Sequence, residues 1–369
     1  MANRLREIEM LGQAIWIDNL DRELLDEGVL ERLIEEDGIS GVTSNPTIFE
    51  KAMRNSDRYD GAFRELDGGD DPQQIFEAIA YREIRDAADL LRSVFDRTQG
   101  QDGYVSFELP ASLADDAESS IAEAQRHRNA IDCPNVLIKV PATEAGVRAF
   151  QELTALGINV NVTLLFAVSR YEEIADAYLR GLERRVESGE PVDRSASVAS
   201  FFVSRVDTKV DAALEAAGHQ ELRGRAAVAN AKLAYESFQR IFAGDRWDAL
   251  AARGANVQRP LWGSTSIKDP DYSDTLYVDE LIGPDTVNTM PDATIEAARD
   301  HATAARTVDR DVNGAHELMR RVRGAGVDVD DIVLRQLVEE GVSTFADSYQ
   351  SLLETLSAKA RDLAAVGHS

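Results

Sequence analysis

Short apolar runs rich in β-branched and aromatic residues alternate along this chain with longer stretches of helical period, the pattern of repeated βα units around a parallel sheet. Eight such runs are read, at 14–18, 40–44, 104–109, 136–140, 160–166, 197–203, 261–264 and 287–290. The last two are recognised by their place in the series. After Phe166, Ser169 and Glu172 stand at capping-box spacing, and Tyr171, Ile174, Tyr178, Leu182 and Val186 recur at helical intervals; this predicts a helix with one face on the sheet. A second helix is predicted from Thr143 as N-cap, through Val147, Phe150 and Leu153, to a stop at Gly157. Residues 136–166 therefore form a βαβ unit whose strands are apolar almost throughout, as parallel strands buried on both faces must be. Residues 54–74, with Gly61, Gly68, Gly69, Asp70, Asp71 and Pro72, predict a surface connection carrying turns, and 244–259 a second break. Past Pro291 the pattern is helical to the end, with Ile332, Leu337, Val342, Phe345, Leu352, Leu356 and Leu363 supplying apolar faces. The economical fold is an α/β (β/α)8 TIM barrel as one domain over residues 1–369, with a helical C-terminal extension from about 292 packed on it; an open doubly wound sheet shares the same alternation.

Composition narrows the function classes. The chain has 369 residues, 40 Lys+Arg against 66 Asp+Glu, and a formal net charge of −26. That field repels phosphate backbones, and no block of Lys/Arg offsets it locally, so no nucleic acid partner is expected. Cys133 is the single cysteine and has no disulfide or zinc partner, which fits a reducing cytoplasm. No secretory h-region opens the sequence and no run of about 18 apolar residues predicts a membrane span.

Parallel α/β folds place reacting groups at the carboxyl ends of their strands. Polar residues gather there: Asp18 ends the first run, Thr43, Ser44 and Asn45 the second and Glu108 the third, and Lys139 sits inside the fourth. Asn161 and Thr163 punctuate the fifth, Ser200 and Arg205 belong to the sixth, and Ser264 and Thr265 follow the seventh. Lys139 has apolar neighbours on both sides, in Val136-Leu-Ile-Lys-Val140. A buried ammonium must pair with an acid or give up its proton. Moving such an amine from pKa ~10.4 to ~8 costs about 3 kcal/mol and yields the form that attacks a carbonyl carbon. Lys139 is thus either a Schiff-base nucleophile or a structural partner of Glu108 or Asp18, and its strand position alone leaves both open. Asp18 and Glu108 supply groups that can move protons in imine chemistry. The five histidines, His127, His219, His301, His316 and His368, fall in segments read as helical or terminal, which argues against Ser-His-Asp or metal-His sites. Residues 269–280 carry acids at calcium-loop positions 1, 3 and 12, but Asp274 occupies the sixth, where such loops need Gly, so a turn before a helix is the better reading. Neither nucleotide-binding glycine motif is found.

The segments Gly41-Val-Thr-Ser-Asn-Pro-Thr47, Val136-Leu-Ile-Lys-Val-Pro-Ala-Thr143 and Gly157-Ile-Asn-Val-Asn-Val-Thr-Leu-Leu-Phe166 closely resemble signature stretches of the transaldolases, in the same order, within a resemblance covering roughly residues 12–292. The resemblance implies a permuted class I aldolase barrel with its Schiff-base lysine on the fourth strand. The implied reaction moves a dihydroxyacetone unit from sedoheptulose 7-phosphate to glyceraldehyde 3-phosphate, giving erythrose 4-phosphate and fructose 6-phosphate in the pentose phosphate pathway, with no metal or organic cofactor. It carries the nucleophile onto Lys139, the C4-hydroxyl base onto Asp18, and the glutamate that works through a threonine-held water onto Glu108, with Thr163 as that threonine. Asn45, Asn161 and Ser200 match residues that bond the dihydroxyacetone hydroxyls, and Arg205 matches a phosphate-binding arginine. Phe202 stands where related fructose 6-phosphate aldolases have a tyrosine, which favours transfer over release of dihydroxyacetone. One departure is that the chain reads Trp262-Gly-Ser-Thr-Ser-Ile-Lys268 where many transaldolases carry a second arginine, so Lys268, a point charge, is the nearest substitute.

Two further readings accompany this one: a lyase of the fructose 6-phosphate aldolase type, and a non-catalytic sugar-phosphate-binding barrel in which Lys139 survives as a core ion pair. The helical tail has three candidate roles, covering the barrel, closing the site, or making a homodimer contact.

Overall fold

The computed structural model describes residues 3–65 and 71–366. Gly68, Gly69, Asp70 and His368, and the side chain of Leu363, lie outside the described residues. Eight strands are present: β1 Gln13–Ile17, β2 Ile39–Thr43, β3 Tyr104–Glu108, β4 Val136–Pro141, β5 Val160–Leu165, β6 Ser197–Phe202, β7 Arg259–Gly263 and β8 Thr286–Met290. They close in sequence order, with β8 pairing in parallel with β1. Closure excludes the open doubly wound sheet.

Side chains alternate across a strand, so every second residue enters the barrel. Trp16, Tyr104, Leu137, Val198, Leu261 and Val287 thereby form an apolar layer inside it, separate from the larger core between strands and helices. Gly41 belongs to this layer by necessity, because a Cβ there would lie 2.4 Å from the Trp16 ring. Two residues further along, the interior turns polar on every strand but β7, with Asp18, Thr43, Ser106, Lys139, Asn161, Ser200 and Thr289. Alternation along the chain thus produces an apolar floor beneath a polar upper layer.

The predicted helix after β4 runs Glu144–Ala155, with Thr143 capping it by accepting from the Gly146 amide at 3.0 Å, and the chain turns out at Gly157 with φ +78°. The helix Val168–Glu187 buries Tyr171, Ile174, Tyr178 and Leu182 as the periodicity predicts, but the capping box does not form. Ala167 is its N-cap, Ser169 lies within the first turn, and the Glu172 carboxylate instead accepts from Ser237 Oγ at 2.7 Å and from Arg240. The 54–74 connection is less open than its turn residues suggest, since short helices bury Tyr59 and Phe63. The 244–259 break holds a short helix, Asp245–Ala251, and His219 lies just before a short 3-10 helix, Gln220–Leu222.

Past β8 come the helices Asp292–His301 and Val312–Gly324 and a C-terminal helix, Leu337–Val366, of 30 residues. At 1.5 Å per residue that last helix is about 45 Å long. It buries Leu352 and Leu356 completely, a contribution of roughly 1.5–3 kcal/mol each. It packs on the helix Pro46–Asn55 and reaches the end of β5, where Gly341 backs onto Leu164 so closely that a Cβ would lie 2.6 Å from Cδ2. Leu164 itself has φ +55°, in an irregularity of the β5–β6 pairing. The tail lies over the barrel mouth, with Phe345 near Lys139. Among the described residues no helix is long and apolar enough to cross a membrane.

Candidate active site

The polar upper layer converges on Lys139. Register places Glu108 opposite Lys139 across β3–β4, and Asn161 opposite it across β4–β5. Lys139 is 4% exposed. Its Nζ donates to Glu108 Oε2 at 3.2 Å and to the Ser44 carbonyl at 3.1 Å, and lies 6.0 Å from the ring centre of Phe345, on the C-terminal helix. The Lys139 nitrogen is therefore neither exposed nor locked into several carboxylates; one acid and one carbonyl hold it.

Asp18 follows the end of β1, and its Oδ1 accepts from Thr43 Oγ1 at 2.7 Å; Thr43 also exchanges a hydrogen bond with Thr289 Oγ1 at 2.7 Å. Burial pushes the Asp18 carboxyl above its ordinary range, opposed by the Thr43 bond and the charges of Lys139 and Arg205. Burial likewise raises Glu108, against the pull of Lys139. Both carboxyls are thus biased toward holding a proton.

Asn161 lies flat in the layer, donating from Nδ2 to Ser106 Oγ at 3.0 Å while its Oδ1 accepts from Ser200 Oγ at 2.6 Å. Thr163 is fully buried, and its hydroxyl makes no hydrogen bond to protein. Phe202 meets Phe166 edge-on at 5.4 Å and lies under the Arg205 guanidinium, 5.3 Å from its ring centre. Burial lowers the pKa of Arg205, while the carboxylates whose field reaches it are those of Glu108, Glu340 and Asp18.

Two of the residues singled out in the sequence sit less centrally. Asn45 caps the helix Pro46–Asn55, its Oδ1 accepting from the Ile48 amide at 3.1 Å, which leaves its amide nitrogen as the free donor. Lys268 lies at the rim, its Nζ on Ser266 Oγ at 2.8 Å and repelled by the charge of Arg205. Ser106 and Phe345 were not singled out as site residues. Ser106 has a signal, standing two positions before Glu108 and so on the same strand face. Phe345 has none, since only the folding of the distant tail brings it to Lys139.

Among the described residues one group, Glu77, Glu123 and His127, is close enough to hold an ion, and the Arg126 guanidinium already bridges its two carboxylates. Residues 269–280 lead as expected into a short helix, Leu276–Glu280.

A lysine on the fourth strand of a closed parallel barrel, with the Glu108 and Asp18 carboxyls in its field, is the arrangement that the transaldolase signatures imply. The model of the family described as Transaldolase/Fructose-6-phosphate aldolase matches residues 15–356. The chain belongs to that family. The match extends well past the 12–292 read from the motifs and includes most of the C-terminal helix. The chain is 48% identical to the Transaldolase of Thiobacillus denitrificans over 355 residues, covering 95% of this chain and 99% of that protein. It is 44% identical to Transaldolase 2 of a Nostoc species over 378 residues, 99% of both chains, and 46% identical to the Transaldolase of Frankia alni, 97% of both.

Proposed function

We propose that this chain is a transferase that carries a dihydroxyacetone unit from sedoheptulose 7-phosphate to glyceraldehyde 3-phosphate through a Schiff base on Lys139. The observation that carries the reading is a single buried lysine nitrogen between two carboxyls whose pKa values burial has raised. The Lys139 amine adds to the ketose carbonyl carbon, and the carbinolamine loses its oxygen as water. Glu108 moves the protons for that dehydration, through a water held by the free Thr163 hydroxyl. In the resulting iminium, Asp18 takes the proton of the C4 hydroxyl. The C3–C4 electron pair then flows into the iminium, leaving an enamine and releasing the aldose.

Asn161, Ser200 and the Asn45 amide nitrogen are the groups suited to hold the dihydroxyacetone hydroxyls, and Arg205 with Lys268 the terminal phosphate. The enamine must last until an acceptor aldehyde arrives. Phe202 beside it carries no transferable proton, which favours transfer over release. The chemistry as written draws only on side chains and water, and we place it in the cytoplasm, where Cys133 stays a thiol. We infer too that barrel and C-terminal helices work as one unit, since Phe345 completes the surroundings of Lys139.

Borohydride reduction in the presence of fructose 6-phosphate tests the reading. A covalent mass increment on the peptide holding Lys139 is expected; tight sugar-phosphate binding without any increment would show a binding protein instead.

A further inference from the structure

The helix after β6, Ser204–Ala216, presents Arg205 and Lys209 one turn apart, so both side chains lie on one face at the barrel mouth. Lys268 adds a third cation beside Arg205. Among the described residues of the tail, Glu340 is the acid whose field reaches this grouping. Glu340, in the first turn of the C-terminal helix, accepts from Lys209 Nζ at 2.5 Å and projects its field onto Arg205. From the same helix, Gly341 seats against Leu164 and Phe345, 7% exposed, faces Lys139. About one and a half turns of helix therefore join the cation row to the cover over the nucleophile. A ketose carbonyl must come into bonding contact with the Lys139 nitrogen, and Phe345 is the neighbour of that nitrogen that does not belong to the barrel.

We propose that Glu340 is a specificity-determining gate residue: it occupies the Arg205–Lys209 row until a substrate phosphate takes its place, so that phosphorylated sugars, and not their unphosphorylated counterparts, release the C-terminal helix from the mouth. A phosphate dianion docking on Arg205 and Lys268 repels the Glu340 carboxylate and offers Lys209 a stronger partner. The inference rests on the phosphate site proposed above. It assigns Lys209 as a third phosphate-side cation, paired with Glu340 in the closed form.

Hydrogen exchange over residues 337–349 of the full-length protein, with and without inorganic phosphate, tests the gate without needing turnover. Phosphate is expected to speed exchange there in the parent protein, whereas Glu340→Gln and Lys209→Met exchange fast without it and do not respond. The preference in kcat/KM for fructose 6-phosphate over fructose is expected to fall about fivefold in Glu340→Gln, the scale of one exposed ion pair. Phosphate-independent exchange in the parent, or an unchanged preference in Glu340→Gln, overturns the proposal. Borohydride trapping on the same samples separates the two readings: a parent protein that never traps sugar refutes the Schiff-base chemistry, while one that traps normally yet shows no phosphate response refutes the gate alone.

Discussion

Glu108 and Lys139 face each other across the β3–β4 pairing, with Oε2 and Nζ 3.2 Å apart and both side chains almost wholly buried. An ion pair this dry is costly to break by halves, because the survivor keeps its desolvation penalty without its partner. Lys139→Ala is therefore expected to abolish both borohydride trapping and turnover, and also to drive the Glu108 carboxyl further upward. Thermal melts over a pH series would register the second effect, and trapping followed by peptide mass analysis the first.

Asp18 and Glu108 share a direction of shift but not a role. Glu108→Ala is expected to slow imine formation, and Asp18→Ala to slow carbon–carbon cleavage more than imine formation, each by the 10²–10⁴-fold typical of a lost proton-transfer group. Rapid-mix trapping, which reports imine, against product release, which reports cleavage, distinguishes them; equal and small losses in both steps would contradict the assignment. Because burial raises both carboxyls, the acid-side fall of kcat/KM should lie above their ordinary values of 3.8 and 4.5.

Replacing Phe202 by Tyr puts a hydroxyl near the enamine and within the field of Arg205. Net release of dihydroxyacetone should then rise relative to transfer, as measured by product analysis with and without acceptor aldehyde. No change in that ratio would remove the argument for enamine protection.

Glu83 offers a stability test away from the chemistry. It is fully buried beside the Tyr59 hydroxyl and within the field of Arg22, and burial pushes its pKa up to about 8. The folded state thus holds a proton that the unfolded chain releases near 4.5, so stability is greatest below that value and declines as pH rises toward 8. The loss is on the order of a few kcal/mol. Glu83→Gln should flatten this slope and raise the melting temperature at pH 9, and a parallel slope in both proteins would refute it.

Phosphate recognition by Arg205 and Lys268 should be salt-sensitive, because added salt screens the attraction of these local cations. The KM for fructose 6-phosphate is expected to climb several-fold between low and physiological ionic strength, while that for fructose stays nearly level. Initial-rate measurements at two salt concentrations decide it.

Much of this architecture was legible because it depends on local alternation. Residues such as Lys139, Glu108 and Asn161 share a layer simply because they share strand parity, and Thr143 and Gly157 mark their helix by capping chemistry that acts within a few residues. The Ser169–Glu172 spacing misled because a capping box needs the serine just outside the helix, and here Ala167 takes that place, freeing Glu172 for Ser237 and Arg240. Phe345 over Lys139 and the Glu340–Lys209 pair were out of reach, since they join segments far apart in the chain and leave no periodic trace in either. The double duty of Asn45 as a helix cap was hidden for the same reason that caps are common: one asparagine side chain offers both an acceptor and a donor.

The apolar floor of Trp16, Tyr104, Leu137, Val198, Leu261 and Val287 makes the barrel a vessel with one usable opening. Reactants, water and leaving aldehyde must all pass the same rim, so whatever sits on that rim controls traffic in both directions. A redesign could exchange the upper residues for other chemistry while the base of the vessel stays as it is, and the tail would remain the valve.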